Sequence, residues 1–447
     1  MRVAIIGTGI AGLSSAWLLN KAHDITVYEA ESRAGGHSHT VVMPTDGGDV
    51  PVDTGFIVYN ERNYPNLTAL FDHFAVPTKA SEMSFGVSLD GGRFEYSGSE
   101  SYGTLFAQKS NLLRPAFHRM LVDIVRFNGA ARRFLDESDN GEPLTIGEFL
   151  DHGRYGDAFQ NRYLLPMSAA IWSASLEGMR AFPARSFLRF FDNHGLISLN
   201  DRPSWRTVAG GSAIYVDRMT ATFEDRLRLG TAAHRILRDD NEVFVVDSRG
   251  ITNAYDAVVL ACHADQALAM IDIPTKAECD VLGAFSYQPN ETILHSDPKL
   301  MPKRRAVWSS WNYLANGRLS KAANVSMTYW INHLQRLDTD RLALVSLNPL
   351  QEPAPHHVIA SMRYDHPLFD HGALQAQARL SEIQGHHRLW FAGAHWGFGF
   401  HEDGLLSGLH VAASLGVAPP WWLNVEPLIT GCSLEEPRLP QAVAAAD

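Results

Sequence analysis

Cysteine is scarce. Cys262, Cys279 and Cys432 are the three in 447 residues, far apart and with no C-x-x-C, so neither a disulfide framework nor a thiolate zinc site is expected. Long apolar runs are missing as well. The first apolar stretch has the length of a strand and starts at residue 3, which reads as neither a signal peptide nor a membrane span and predicts a cytoplasmic protein. Without secretion, the N-x-S/T matches at Asn66, Asn290 and Asn324 carry no glycosylation meaning. Positive charge is in deficit: 38 Lys and Arg against 49 Asp and Glu leave a formal net charge of −11. That balance argues against a nucleic-acid partner and against simple electrostatic attachment to anionic lipid. No internal repeat, serine triad or paired-carboxylate constellation stands out. The remainder is 45% hydrophobic and 19% charged, an ordinary globular composition, and too long for one core, so two interleaved or consecutive domains are expected.

Residues 2 to 6 read as an apolar strand, followed by Gly7, Gly9 and Gly12 in G-x-G-x-x-G spacing, a helix from Ala11 to Asn20, a second strand from Ile25 to Tyr28, and Glu29. Gly7 allows a tight turn, Gly9 lets backbone approach a pyrophosphate, and Gly12 lets helix and strand pack closely. The helix N-terminus offers its N–H groups to phosphate. Glu29, at the expected distance of roughly 20 residues, can take both ribose hydroxyls and would repel a 2′-phosphate. Dinucleotide binding is the reading. No second fingerprint lies within a βαβ unit, so a separate NAD(P)H domain is not expected.

Beyond Glu29 come Arg33, Gly35 and Gly36, completing E-x-x-x-R-x-G-G. This extension resembles the flavin-dependent amine oxidase and phytoene desaturase superfamily, whose second glycine pair passes the FAD pyrophosphate; His37 stands where most members carry Arg. The resemblance implies an α/β fold: a Rossmann-like FAD-binding domain (1–78, 205–265 and 386–420) and an α+β substrate domain (79–204 and 266–385) of antiparallel sheet plus helical cap. It implies flavin contacts from Gly55 and Phe56, and adenosine-side contacts from Ala233 and Ala261. It implies a C-terminal signature in F-A-G-A…E-D-G…S-G, with Gly393, Asp403, Gly404 and Leu405 at the flavin. Asp403 is expected to cap a helix aimed at the flavin N1–C2=O edge. No cysteine stands beside that signature in a form suited to covalent attachment, so FAD is expected to be non-covalent.

Between the two anchors, MSFGVSL, Asp90-Gly91-Gly92 and RFEYSG read as a hairpin, and residues 112 to 190 as mostly helical, with Pro143 and Thr145 opening one helix. Residues 231 to 247 read as a further hairpin and Tyr255 to Cys262 as a buried strand. Phe285 to Leu294, Arg305 to Tyr313, Asn324 to Asn332 and Leu342 to Leu347 alternate as half-buried strands should. The aromatic content of the cap reads mainly as core. Trp172 with Ser173, and His194, are the candidates there for lining a substrate pocket, although a buried, satisfied histidine is the plainer account of His194.

The tyrosine pair of true amine oxidases is missing from the C-terminal segment, where Trp396, Phe398 and Phe400 stand instead; Trp396 and Phe398 are substrate candidates. His395 and His401 are the candidate general bases, with pKa values expected in the working range. A metal site from His37, His39, His395 and His401 fits no standard spacing and is not expected. From VDTGFIVYNERNYPNL through MTYWINHLQ to GFGFHEDG, the chain resembles one bacterial branch of the superfamily, NAD/FAD-binding proteins encoded beside cyclopropane-type fatty-acid methyltransferases. That resemblance implies dehydrogenation of an unsaturated or methyl-branched fatty acyl chain, with hydride passing to flavin N5 and oxygen as acceptor. It also implies a functional link to such a methyltransferase and peripheral contact with lipid. An amine oxidase, a flavin-dependent fatty-acid double-bond isomerase and a non-catalytic scaffold for the methyltransferase remain open. The proline-rich tail from 421, with Trp421 and Trp422, is expected to wrap the body, a dip into a membrane interface being the alternative.

Overall fold

The computed structural model describes residues 1–98, 102–137, 144–172, 174–198, 203–316 and 326–422. Pro143, Ser173, Asn324, Cys432 and the tail beyond Trp422 lie outside them. By packing, the chain divides into two units: Met1–Ser32, Phe223–Gly283 and the chain from Gln375 in one, Arg33–Thr222 and Ala284–Leu374 in the other. Residues 33 to 78, assigned from the sequence to the nucleotide-binding domain, therefore pack with the second unit.

The first unit is built on a five-stranded parallel sheet in the order Leu227–Arg228, Asp24–Tyr28, Arg2–Ile6, Ala257–Leu260, Leu389–Phe391. Its central strands are apolar along their length (VAII, AVVL), as parallel strands covered on both faces must be. The crossover helix Ile10–Leu19 is buried at every position. Sheet covers one of its sides, and the helix His401–Ser414 covers another. Their contact is backbone on backbone: a Cβ added at Gly408 would stand 2.2 Å from Ser14 Oγ and 2.3 Å from the Ala11 carbonyl. Ser15 Oγ bridges them, within 2.8 Å of the Ala11 carbonyl and 3.2 Å of the Gly408 carbonyl. A three-stranded antiparallel sheet, Ala233–Arg238, Val243–Asp247 and Thr252–Tyr255, completes the unit, and its first turn is the expected hairpin. Trp421 stacks on Trp17 of the crossover helix with ring centroids 5.7 Å apart, and Lys21 Nζ lies 4.2 Å from the centre of the Trp17 ring.

The second unit carries a seven-stranded sheet in the order Val358–Leu368, Ser286–His295, Leu344–Leu347, Ser326–Trp330, Trp311–Ala315, Phe85–Leu89, Phe94–Gly98. All neighbours are antiparallel except Trp311–Ala315 with Phe85–Leu89. Two sequence expectations need correction. Arg305–Val307 is a 3-10 turn and the strand begins only at Trp311. Ser326–Trp330 and Leu344–Leu347 are not half-buried; they are interior strands of the sheet, buried on both faces but for Trp330. The helical cap forms as expected. Pro115–Asp136 is one long amphipathic helix, and Thr145 starts Ile146–His152 with a capping box to Glu148. Tyr96 donates to the Arg162 carbonyl at 2.6 Å, tying the π-turn Gln160–Leu164 to the sheet.

The Gly408 contact sets a test. Gly408→Ala should destabilise the protein by about 1–3 kcal/mol through overpacking, read as a lower melting temperature; an unchanged melt would show that the two helices separate easily.

Candidate functional site

The glycine fingerprint closes the loop after the first strand. Gly7 has φ +100°, a conformation that L side chains rarely adopt, and a Cβ there would meet the Ala261 carbonyl at 2.5 Å. A Cβ on Gly12 would lie 2.0 Å from the Gly7 carbonyl and 3.3 Å from the Ala261 methyl, so the small residue at Ala261 is part of the same fit. Gly9 differs. It is the N-cap of the crossover helix, gives that helix no side-chain cap, and a Cβ on it would meet nothing within 4 Å. The first turn carries no acidic residue. Open space in front of an uncapped helix N-terminus fits a pyrophosphate. Ala11 is buried inside that first turn, its carbonyl accepting from Ser14 and Ser15.

Glu29 ends the second strand as expected, and backbone donors fix it. Oε2 accepts from the Thr8 N–H at 2.9 Å and from the Thr8 hydroxyl, and Oε1 accepts from the Glu31 N–H at 2.9 Å. An anchored carboxylate at this edge suits ribose hydroxyls and disfavours a 2′-phosphate. Beside it the chain runs parallel, Thr231 N–H donating to the Glu29 carbonyl at 2.7 Å, and Ala233 follows at a bulge. The residues of this cradle fit FAD. Cys262, next to Ala261, has its thiol pushed up to about 12 by burial, so it is not a reactive thiolate.

The signature segment folds on itself. Gly393 N–H donates to Ser407 Oγ at 2.8 Å, and the His395 ring packs so closely on Gly393 that a Cβ there would lie 2.4 Å from its Cε1. Trp396 and Phe398 are buried in the same unit, Trp396 lying 4.8 Å from the His395 ring. Gly404 leaves room for Ile10, whose Cγ2 would be 2.9 Å from a Cβ, and Leu405 is fully buried. Two expectations change here. Asp403 is not the N-cap; it is the third residue of His401–Ser414, and its Oδ2 accepts from the Phe398 and Phe400 N–H groups at 3.0 and 2.8 Å. Burial raises it to about 6 despite those bonds. Nor do the two histidines titrate in the working range: burial lowers His395 to about 3, with His263 adding to the effect, and burial alone lowers His401 to about 3.

In the second unit, Gly35 and Gly36 take φ of +112° and +55°. Arg33, just before them, lowers His39 after burial has done most of the work, leaving that imidazole at about 4. The close approach that Gly55 permits is to its own chain: a Cβ would lie 2.1 Å from the His37 carbonyl, and Phe56 N–H donates to that carbonyl at 2.9 Å. Phe56 meets Tyr215 edge-on at 6.4 Å. The His37 ring lies against Tyr364 at 4.9 Å and His366 at 5.6 Å, and the Tyr364 hydroxyl is 3.0 Å from His39 Nδ1 and 2.8 Å from Thr54 Oγ1. Tyr364 and His366 escaped the sequence reading, although Y-D-H in Val358–Leu368 has the two-residue period that places both on one face. Trp172 sits among Phe182, Phe187, Phe190 and Phe191, with ring centroids 4.6 to 6.5 Å away, which is core packing; His194 Nδ1–H donates to the Phe190 carbonyl, and the ring is lowered to about 4 by burial. Among the described residues, no group of His, Cys, Asp or Glu could hold a metal ion.

Asp53, two residues before Gly55, has a role of its own. It is 1% exposed, and its carboxylate accepts from the Ser212 N–H and hydroxyl, the Thr40 hydroxyl and Gln335 Nε2. The Gly210-Gly211-Ser212 segment and the end of a short helix are thereby tied to one charge. Burial raises Asp53 to about 6 against the pull of these bonds.

Strand alternation sorts the seven-stranded sheet into two faces. On one lie Glu95, Glu291, Arg363 and Asp365; registered on the other are Phe85, Val87, Phe94, Tyr96, Trp311, Tyr313, Met327, Tyr329, Val345, Leu347, Thr292 and Leu294, and the strand positions of that face carry no Asp, Glu, Lys or Arg. Tyr364 and His366 belong to the same face, at its far edge.

The profile of the flavin containing amine oxidoreductases matches residues 10–293. Solved structures share the fold at 16% identity. Cyclohexylamine oxidase from Brevibacterium oxydans IH-35A covers 93% of this chain and 98% of its own, with TM-score 0.66. The CLA-producing fatty acid isomerase from P. acnes covers 93% and 99%, with TM-score 0.65. Putrescine oxidase bound to putrescine covers 93% and 99%, with TM-score 0.63.

Gly9→Ala should leave the apo fold within about 0.5 kcal/mol of wild type, because nothing touches the new methyl, yet weaken FAD retention at least about ten-fold. Equal FAD content after gel filtration would disprove the pyrophosphate fit. For Asp53 the folded pKa lies above the unfolded one, so the folded state holds its proton more tightly and stability from this group falls as pH rises from about 4 to about 6. The wild-type advantage in melting temperature over Asp53→Asn should therefore be largest near pH 4 and shrink by pH 7. A difference independent of pH would refute the raised value.

Proposed function

The chain belongs to the flavin-containing amine oxidoreductase family and uses FAD, and from that premise we propose that it dehydrogenates an unsaturated or methyl-branched fatty acyl chain. The observation that supports this substrate class is the sheet face without a charged side chain. A protonated amine placed against it would lose hydration with no carboxylate to compensate, at a cost of several kcal/mol. An acyl chain loses nothing there. Met327, Val345, Leu347 and Val87 supply branched and flexible apolar surface, and Tyr313 and Tyr329 supply flat aromatic walls.

Hydride acceptance is the chemistry that bound FAD supplies, with oxygen as the terminal oxidant. Gly7, Gly9 and Gly12 with Glu29 hold the dinucleotide, and the signature helix points its N-terminal turn, carrying Asp403, into the Gly393–Phe400 loop. A proton must also leave the carbon chain. His395 and His401 are the acceptors we propose, imidazoles that burial keeps neutral at any working pH. The same burial makes each ring a weak base, so either can hold the proton only in passing and must hand it onward.

An anaerobic spectrum of the purified flavoprotein, titrated with a lipid extract containing methyl-branched acyl chains, tests the proposal. Bleaching of the flavin band is expected, and neither imidazole adds a pH limb between about 5 and 8 because both stay neutral throughout. An acid limb near about 6.5 would point to a solvated histidine instead. Bleaching by an amine panel and not by lipid would sink the acyl reading in favour of amine oxidation. Shifted double bonds with no bleaching and no oxygen uptake would establish an isomerase.

A further inference from the structure

Polar groups on the two faces of the seven-stranded sheet are treated differently. On the charged face most are paired even when buried, the Trp330 indole N–H being the exception. Thr328 Oγ1 lies 2.7 Å from Ser346 Oγ, His295 Nε2 lies 2.8 Å from the same hydroxyl, Ser97 and Ser309 are 2.7 Å apart, and the Asn312 amide donates to the Ser309 and Thr328 carbonyls. On the uncharged face, three aromatic residues of adjacent strands keep their polar atoms unpaired. Trp311 Nε1 is buried with no hydrogen-bond partner. Tyr313 and Tyr329 are 2% and 8% exposed, and neither hydroxyl meets an acceptor or donor among the described residues.

These residues are neighbours. Trp311 pairs across the strands with Tyr329, their rings 4.9 Å apart and nearly perpendicular, and Tyr313 follows Trp311 on the same face of the same strand. Trp311 Nε1 is enclosed without an acceptor, which in a native interior calls for a ligand or bound water, and the two tyrosine hydroxyls of the same face have no partner among the described residues either. Burial raises both tyrosines, with no charge contributing, so the hydroxyls stay protonated and able to donate. Trp311 can only donate. The group that three such donors receive is an oxygen acceptor.

We propose that Trp311, Tyr313 and Tyr329 form the subsite for the acyl carbonyl of the substrate, and that it takes a neutral ester in preference to a free carboxylate. The preference follows from charge. No strand position on this face carries a cation, and Arg114 and Arg162, stacked over Phe94 on the edge strand, are two strands away, roughly 10 Å. A carboxylate would therefore enter a desolvated site with hydrogen bonds but no countercharge, whereas an ester carbonyl needs only the hydrogen bonds. The inference deepens the acyl-chain reading above and rests on it for the identity of the substrate.

The test uses the FAD-loaded protein in detergent, titrated anaerobically with methyl oleate and with oleate, following the perturbation of the flavin spectrum for binding and its bleaching for turnover. Methyl oleate should bind at least about ten-fold tighter than oleate. Tyr313→Phe and Tyr329→Phe should each weaken methyl oleate about ten-fold, the scale of one uncharged hydrogen bond, while leaving oleate within about two-fold. Their melting temperatures should be unchanged or higher, because the hydroxyl removed has no partner in the protein. Tighter binding of oleate, ester affinity untouched in both Phe variants, or no perturbation by either compound would each overturn the subsite. Tyrosine-dependent ester binding without any bleaching would keep the subsite and defeat dehydrogenation instead.

Discussion

Ser15 and Gly408, 393 positions apart, meet where two helices touch through their backbones, and the nucleotide-binding unit depends on that contact. Ile10–Leu19 can carry a phosphate at its N-terminus only if it is held rigidly over the sheet, and His401–Ser414 packs along it. Gly408 lets the clamp close, and Ser14 and Ser15 spend their hydroxyls on the helix carbonyls at the crossing. Gly404, one turn earlier, repeats the device against Ile10. The two glycine signatures of the chain are thus halves of one packing solution, and the FAD cradle is its product.

The second unit is held by a different means. Asp53 draws together donors from Thr40, Ser212 and Gln335, segments distant in sequence. A buried carboxylate is a costly tie, since desolvation works against it even with its donors in place. What it provides is direction: one residue sets the course of the Gly210-Gly211 turn and of the strand ending at Asp53. Close to it, Gly55 crosses the His37 carbonyl and leads the chain toward Tyr364.

Features fixed by local backbone chemistry were legible in the sequence. The strand–G-x-G-x-x-G–helix unit, the hairpins around Asp90-Gly91-Gly92 and Asp239-Asp240-Asn241, and the Thr145 cap stand where the residues placed them. Features set by tertiary burial were not. Alternation along Leu344–Leu347 resembles that of a half-solvated strand, yet both its faces are buried. Nothing in H-W-G-F-G-F-H tells that both imidazoles are stripped of water, and with it of their ordinary basicity. Asp403 lies three residues past the cap position expected of it, because a carboxylate reaching back to Phe398 and Phe400 serves their backbone donors from inside the helix. Tyr364 and His366 needed a partner strand, and the loop at His37 and His39, before their face could have meaning.

The strand order of the parallel sheet has a consequence for biosynthesis. Arg2–Ile6, Asp24–Tyr28, Leu227–Arg228 and Ala257–Leu260 can pair as the chain emerges from the ribosome, but Leu389–Phe391 leaves the exit tunnel more than a hundred residues after its neighbour. Until then Ala257–Leu260 presents an apolar, unpaired edge (AVVL), the kind of strand that recruits other chains. The insertion that builds the second unit thus imposes a waiting time on the first. During that interval the edge stands open to pairing with other chains.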